Sequence, residues 1–238
     1  MREQFRQDMY GIQDDVVEIM DELLNTTKIA VNALIKGDEV VAQEIIDDGD
    51  RFNKLTIDIE DRVLELVATQ HPVARDLRFL LSMAFIANYQ ERIGDYTQTI
   101  AKAARRSANK EVPAPLIDLI RAQASLVYRV MDATREALEE RDLDLALKLP
   151  ELDEPVDSLN KQFYRELGRL TDEDEIEAAA KMVMSARALE RIADYCVDTG
   201  DRLAFFLTGE RDLLEAVEED LDPHKAAYTA DSKSGTEG

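Results

Sequence analysis

The chain has 238 residues, and 51 Asp and Glu against 29 Lys and Arg leave a formal charge of −22. Binding nucleic acid or adhering to an anionic leaflet needs an excess of cations on at least one face, so this balance excludes both classes. The 45% of apolar residues is enough for a real core, the one cysteine (Cys196) can form no internal disulfide, and no apolar run approaches the roughly 20 residues of a membrane span. A reduced cytoplasmic setting without membrane insertion is expected. Asp8, Asp14 and Asp15 occupy the region where a signal peptide would be apolar, so no secretion signal is expected either.

The first helix is predicted over 3–36. Phe5, Met9, Ile12, Val16, Ile19, Leu23, Thr27, Ala30 and Leu34 recur at alternating steps of four and three, a coiled-coil-like seam. Breaks at Lys36-Gly37-Asp38, His71-Pro72, Pro113 to Pro115, Arg141-Asp142 and Thr171-Asp172 divide the remainder into helices over 38–70, 72–109, 114–140, 142–170 and 172–208. Pro72 suits a first helical turn, and Thr171 with Asp174 reads as a capping-box-like start. Pro150 is expected to kink the fifth helix without breaking it, because the seam resumes at Val156 and Leu159. Lys102, Arg105, Arg106 and Lys110, at the end of the third helix, fit either complementation of the helix dipole or a docking patch for a partner. Residues 211–238 form an acidic tail expected to be disordered, most plainly after Asp222. No period-2 segment bounded by turn residues occurs, so the class is all-α. The 19 Arg against 10 Lys and the evenly spread acids fit either a halophile-type surface or the ordinary charge of long exposed helices.

Six helices divided three and three contain an internal repeat. A shift of 104 lays Ala33, Leu34, Asp38 and Ala42 on Ala137, Leu138, Asp142 and Ala146. A shift of 99 lays Glu91-Arg92-Ile93-Gly94-Asp95-Tyr96 on Glu190-Arg191-Ile192-Ala193-Asp194-Tyr195. Two tandem three-helix bundles, over 1–112 and 113–210, account for both offsets.

Glu91 and Asp95, and again Glu190 and Asp194, lie four apart and share a helix face, where like charges repel by about 0.2–0.5 kcal/mol. Each pair therefore calls for a cation, which arginine or a metal could supply. The second helix of each bundle adds Asp50 with Asn53, and Glu154 with Asp157. In antiparallel hairpins about the two turns, Asn53 comes level with Glu91, Asp50 with Asp95, and Glu154 with Glu190. Oxygen-rich sites suit Mg, Mn or iron. His71 sits at a turn and His224 in the tail, so the Glu-x-x-His element of oxygen-activating di-iron bundles is absent. The competing reading is an ion-pair network built on Arg75, Arg78, Arg92, Arg187 and Arg191.

At these residues the sequence resembles the PhoU family of phosphate-uptake regulators, from Met1 to about Glu210. The resemblance rests on Asp47-Asp48-Gly49-Asp50, on Gln70-His71-Pro72-Val73-Ala74-Arg75-Asp76-Leu77-Arg78, and on the two Glu-x-x-x-Asp motifs. It implies two tandem three-helix bundles and multinuclear metal clusters, often of iron or zinc, held by Glu91, Asp95, Glu190 and Asp194 with Asp50, Glu154 and Asp157 beside them. Tyr96 and Tyr195 replace the motif's usual His, Asn53 replaces an acid, and Thr99 and Asp198 stand where the family carries Asn. The resemblance further implies a non-enzymatic, cytoplasmic negative regulator of a high-affinity phosphate ABC transporter. Its partners would be the transporter's ATPase subunit and, in bacteria, a sensor histidine kinase. No P-loop, glycine-rich nucleotide fingerprint or supported Ser/His/Asp set points to catalysis. The acidic surface favours sensing through a partner over a phosphate pocket. Long amphipathic faces make a homodimer the expected assembly. A metal-free helical adaptor for another transporter, and a two-metal hydrolase, are the alternatives.

Overall fold

The computed structural model describes residues 2–107, 112–211, 213–214 and 217. Among them it contains no strand and eight helices: α1 (Arg2–Lys36), α2 (Glu39–Asp47), α3 (Arg51–Gln70), α4 (Ala74–Ser107), α5 (Ala114–Glu140), α6 (Leu143–Ala146), α7 (Leu149–Leu167) and α8 (Glu173–Thr208). The α1 seam is buried from Met9 to Leu34, with Thr27 fully enclosed and sharing a hydrogen bond with Thr97 of α4 at 2.8 Å.

Two of the six expected helices are each a pair. The second divides at Asp48-Gly49-Asp50, where the Gly49 carbonyl accepts a hydrogen bond from Gln98 Nε2 of α4 at 2.8 Å. The fifth breaks at Leu147 and Lys148, and Pro150 then falls in the first turn of α7. A proline there loses no helical hydrogen bond, so it starts a helix instead of kinking one. Under the 104-residue shift the first break falls on residues 152–154, inside α7, so the second half breaks about five residues earlier than the first. Pro72 lies outside α4, which begins two residues later because His71 adopts φ 49° and turns the chain first. At the start of α8, Asp172 is the capping residue: its Oδ1 accepts from the Glu175 N–H at 3.1 Å. Lys110 and most of the expected tail, with His224, lie outside the described residues. Leu213 and Leu214 are helical, however, and Leu214 is buried.

Within each half, one long helix hairpin is completed by a bent pair: α1 and α4 with α2–α3, and α5 and α8 with α6–α7. The halves are packed side by side. The most extensive helix pairing is α4 against α8, and α1 lies along α5. Phe79 of α4 meets Phe206 of α8 edge to face with centroids 5.1 Å apart, both fully enclosed. Tyr96 and Tyr195, which the repeat makes equivalent, meet across the same seam at 6.1 Å. Equivalent residues in mutual contact place a pseudo-two-fold axis between α4 and α8. Within the first half, Gly94 lets α3 come close, since a Cβ there would lie 2.8 Å from the Phe52 ring.

Candidate metal centre

The α3–α4 and α7–α8 hairpins carry the acidic motifs on their facing surfaces. In the second half, one oxygen from each of Asp153, Asp157 and Asp194 can be chosen so that all three lie within 4.8 Å of one another. Asp153 is buried and the other two are half-buried. Asp153 and Asp157 are one turn apart on α7 and so present both carboxylates to α8. Glu190, one turn before Asp194, is itself buried. Arg187 pairs with its Oε1, while its Oε2 has no hydrogen-bond partner and has Arg191 Nε 4.0 Å away.

Burial, then the charges of Asp194 and Asp157, push the Glu190 carboxyl up to about 7 against the opposing pull of Arg187 and Arg191. A carboxylate held in this way is short of positive charge even with two arginines beside it. Arg191 Nη1 donates to Asp194 Oδ2 at 3.1 Å, so the outer edge of the group is already paired. Cys196 lies fully enclosed behind it, and burial pushes its thiol up to about 12, which keeps it protonated. The available donors are therefore all oxygen, with a buried Glu190 oxygen in reserve. That set suits a hard or borderline divalent cation such as Mg, Mn or Fe(II) better than a site seeking nitrogen or sulfur.

The expected ligand set maps unevenly onto this geometry. Asp157 and Asp194 are in the group, and Glu190 is beside it. Glu154, half-buried, is not one of its three members, whereas Asp153 is. The cause is register. Asp157 lies close enough to raise the Glu190 carboxyl, about one turn further along α7 than the position expected for Glu154. The irregular turn over 168–172 absorbs that difference. A signal for Asp153 was present, since Asp153 and Asp157 repeat the four-residue spacing of Glu190 and Asp194. Its repeat counterpart is Gly49, which hides it from a comparison of the two halves.

The first half holds fewer acids. Phe52 on Gly94, and the Thr56 hydroxyl donating to the Ala87 carbonyl at 3.0 Å, set the α3–α4 register and bring Asn53 near the height of Glu91. Asp50 and Asn53 are exposed. Partial burial and Asp95 raise the Glu91 carboxyl, and Arg92 opposes them with its Nε 3.5 Å from Glu91 and its Nη1 3.4 Å from Asp95. Among the described residues, Asp50, Glu91 and Asp95 do not form a group of three carboxylates comparable to that of the second half. Among the described residues no helix is long and apolar enough to cross a membrane.

The PhoU domain model matches residues 16–104 and 120–203, once in each half. The phosphate-specific transport system accessory protein PhoU homolog of Clostridium acetobutylicum is 31% identical over 209 residues, covering 84% of this chain and 95% of its own length. The corresponding homolog 1 of Methanothermobacter thermautotrophicus is 27% identical, covering 87% and 95%. The crystal structure of PhoU from Pseudomonas aeruginosa superposes with a TM-score of 0.82 at 25% identity, over 87% of this chain and all of that one. The phosphate transport system regulatory protein PhoU from Streptococcus pneumoniae has the same fold, with a TM-score of 0.81 at 24% identity.

Proposed function

The chain belongs to the PhoU family, and from that premise we propose that it is an accessory protein of phosphate transport that restrains a high-affinity phosphate ABC transporter when phosphate is plentiful. The observation that carries this reading is the pair of family matches, one per half, supported by relatives named as phosphate-transport accessory proteins and aligned over most of their length. It acts in the cytoplasm by contact with the transporter's ATPase subunit, and in a bacterial setting with a sensor histidine kinase. No reaction is assigned to it.

The second half carries a divalent cation on Asp153, Asp157 and Asp194, with Glu190 in reserve. Bound there, the metal would offset the crowding of four carboxylates and fix the α7–α8 register, and with it the surface that a partner reads. The first half, with three acids (Asp50, Glu91 and Asp95) against four and no convergent group of three among the described residues, holds a weaker site. A homodimer would cover the exposed apolar side chains of Leu81 and Phe85, one turn apart on α4.

The test is a gene deletion complemented with wild type or with Asp157→Asn and Asp194→Asn together. Unrestrained phosphate uptake in the deletion strain, corrected by wild type, together with co-purification of the ATPase subunit, is expected. Uptake unchanged by the deletion would remove the transport assignment. The metal-free adaptor reading draws on the Arg187–Glu190 and Arg191–Asp194 pairs. Full complementation by the double variant would favour it.

A further inference from the structure

A cleft of about 750 Å³ opens at one end of the seam between the halves, bounded by the start of α1, the α3–α4 turn, the α5–α6 turn and the end of α8. It is far along the bundle from the carboxylate group, and the function above makes no use of it. Its charge is opposite to that of the molecule. Arg6, Arg75 and Arg141 line it with His71, against the single carboxylate of Asp76. Eight other arginines lie within 4.0 Å of a carboxylate, namely Arg51, Arg62, Arg92, Arg121, Arg135, Arg169, Arg187 and Arg191. Among the described residues none of the three in the cleft has such a partner. In a chain of net charge −22, guanidinium groups left without acids in one concavity are a reserve of positive charge.

Arg141 shows how the reserve is built. Its Nε donates to Gln13 Oε1 at 2.8 Å, its Nη2 donates to the same oxygen, and its plane lies over the rings of Tyr10, Phe79 and Phe206 at 4.9, 5.4 and 5.7 Å. Those contacts hold the guanidinium rigidly. Among the described residues its Nη1 has no hydrogen bond, so one edge is left to donate. Arg75, over Phe206 at 5.8 Å, is the second cation on the same aromatic floor.

The backbone gives an independent observation. Three non-glycine residues among those described have positive φ, and all three are at this cleft: His71 at 49°, Arg141 at 55°, and Ala74 at 47°, between the lining residues Val73 and Arg75. The repeat equivalent of Arg141 is Gly37, at φ 66°, where the same helix-ending conformation carries no penalty. Each non-glycine residue in this region costs roughly 1 kcal/mol or more, and such strain gathers where a site needs a side chain in one place.

We propose that this cleft binds a multiply charged, phosphate-bearing small molecule, with Arg6, Arg75 and Arg141 on its phosphates. The volume lies within the range of about 300–1,000 Å³ typical of small-molecule sites, more than a lone phosphate ion would fill. Three guanidinium groups match several phosphoryl oxygens, each able to make charge-assisted hydrogen bonds. The half-exposed Tyr10 ring offers a surface for an aromatic body, so a nucleoside diphosphate and a free oligophosphate are the two sources of this chemistry. A ligand seated here touches both halves and would bias their packing, independently of the metal and of the partner.

The test is titration calorimetry of the full chain in EDTA with ADP, tripolyphosphate and inorganic phosphate. Saturable binding of ADP or tripolyphosphate is expected, at least ten-fold tighter than inorganic phosphate. ADP binding at least ten-fold tighter than tripolyphosphate identifies the nucleotide as the source, and equal binding identifies the oligophosphate. Arg75→Gln and Arg141→Lys should each weaken the tighter ligand at least ten-fold. The exposed Arg129→Gln, twelve residues earlier on α5 than Arg141, should leave it unchanged. Arg141→Gly relieves the backbone, so it should keep the helical circular dichroism and melting temperature while losing affinity. Absence of saturable binding, inorganic phosphate binding as tightly as the larger anions, or undiminished binding by the Arg75 and Arg141 variants would overturn the proposal.

Discussion

Replacing Glu190 by Gln tests the electrostatics of the carboxylate group without moving its atoms. In the metal-free protein the carboxyl is pushed up to about 7, mainly by burial, from an ordinary 4.5. A folded-state value above the unfolded one means that the native protein holds the proton more firmly. Stability from this group is fully present below about pH 4.5 and is lost as pH rises through 7. At about 1.4 kcal/mol per unit, the difference amounts to roughly 2–3 kcal/mol lost between pH 5 and pH 8. Glutamine imitates the neutral acid at every pH. Urea unfolding of both proteins in EDTA at fixed KCl should therefore give similar stabilities near pH 5. At pH 8 the variant should be more stable by about 2 kcal/mol, less whatever Arg187 loses with its partner. The slow pH dependence from the rest of the −22 charge cancels in the comparison. Parallel stability curves for wild type and Glu190→Gln across this range would refute the argument that Glu190 is buried with insufficient positive charge.

Asp153→Asn should weaken manganese binding to the full chain at least ten-fold by calorimetry, and Glu154→Gln should change it less than three-fold; the reverse order would show that the α7 register is wrong. Gly94→Ala drives a Cβ to 2.8 Å from the Phe52 ring and should cost about 1–3 kcal/mol in urea unfolding, with an unchanged midpoint counting against the tight α3–α4 approach. Stability measured from 0.1 to 3 M KCl should rise steeply if the acidic surface is of the halophile type, and indifference to salt would assign the charge to ordinary exposed helices.

Much of the fold was legible because it depends on periodicity. The α1 seam identifies its buried face residue by residue, and the repeated Glu-x-x-x-Asp-Tyr element finds α4 and α8 as equivalents that meet through Tyr96 and Tyr195. What was not legible depends on contacts between distant segments. Asp48-Gly49-Asp50 interrupts a helix where Gln98, on another element, donates to the Gly49 carbonyl. The register that makes Asp153 a member of the carboxylate group depends on how the 168–172 turn packs, which local spacing does not encode. The cleft escaped for a similar reason. Arg6, Arg75 and Arg141 are far apart in sequence, and the left-handed conformation that Gly37 advertises in the first half is concealed by an arginine at the matching place in the second.

The most direct measurement of the proposed metal centre is elemental analysis of full-length protein purified without a metal-affinity tag. Wild type would be compared with Asp157→Asn plus Asp194→Asn, and with Glu91→Gln plus Asp95→Asn. Stoichiometric divalent metal in wild type, lost in the second-half variant and largely kept in the first-half variant, is the predicted result. Wild type without metal after incubation with iron, zinc and manganese, or metal retained equally in the second-half variant, would contradict it.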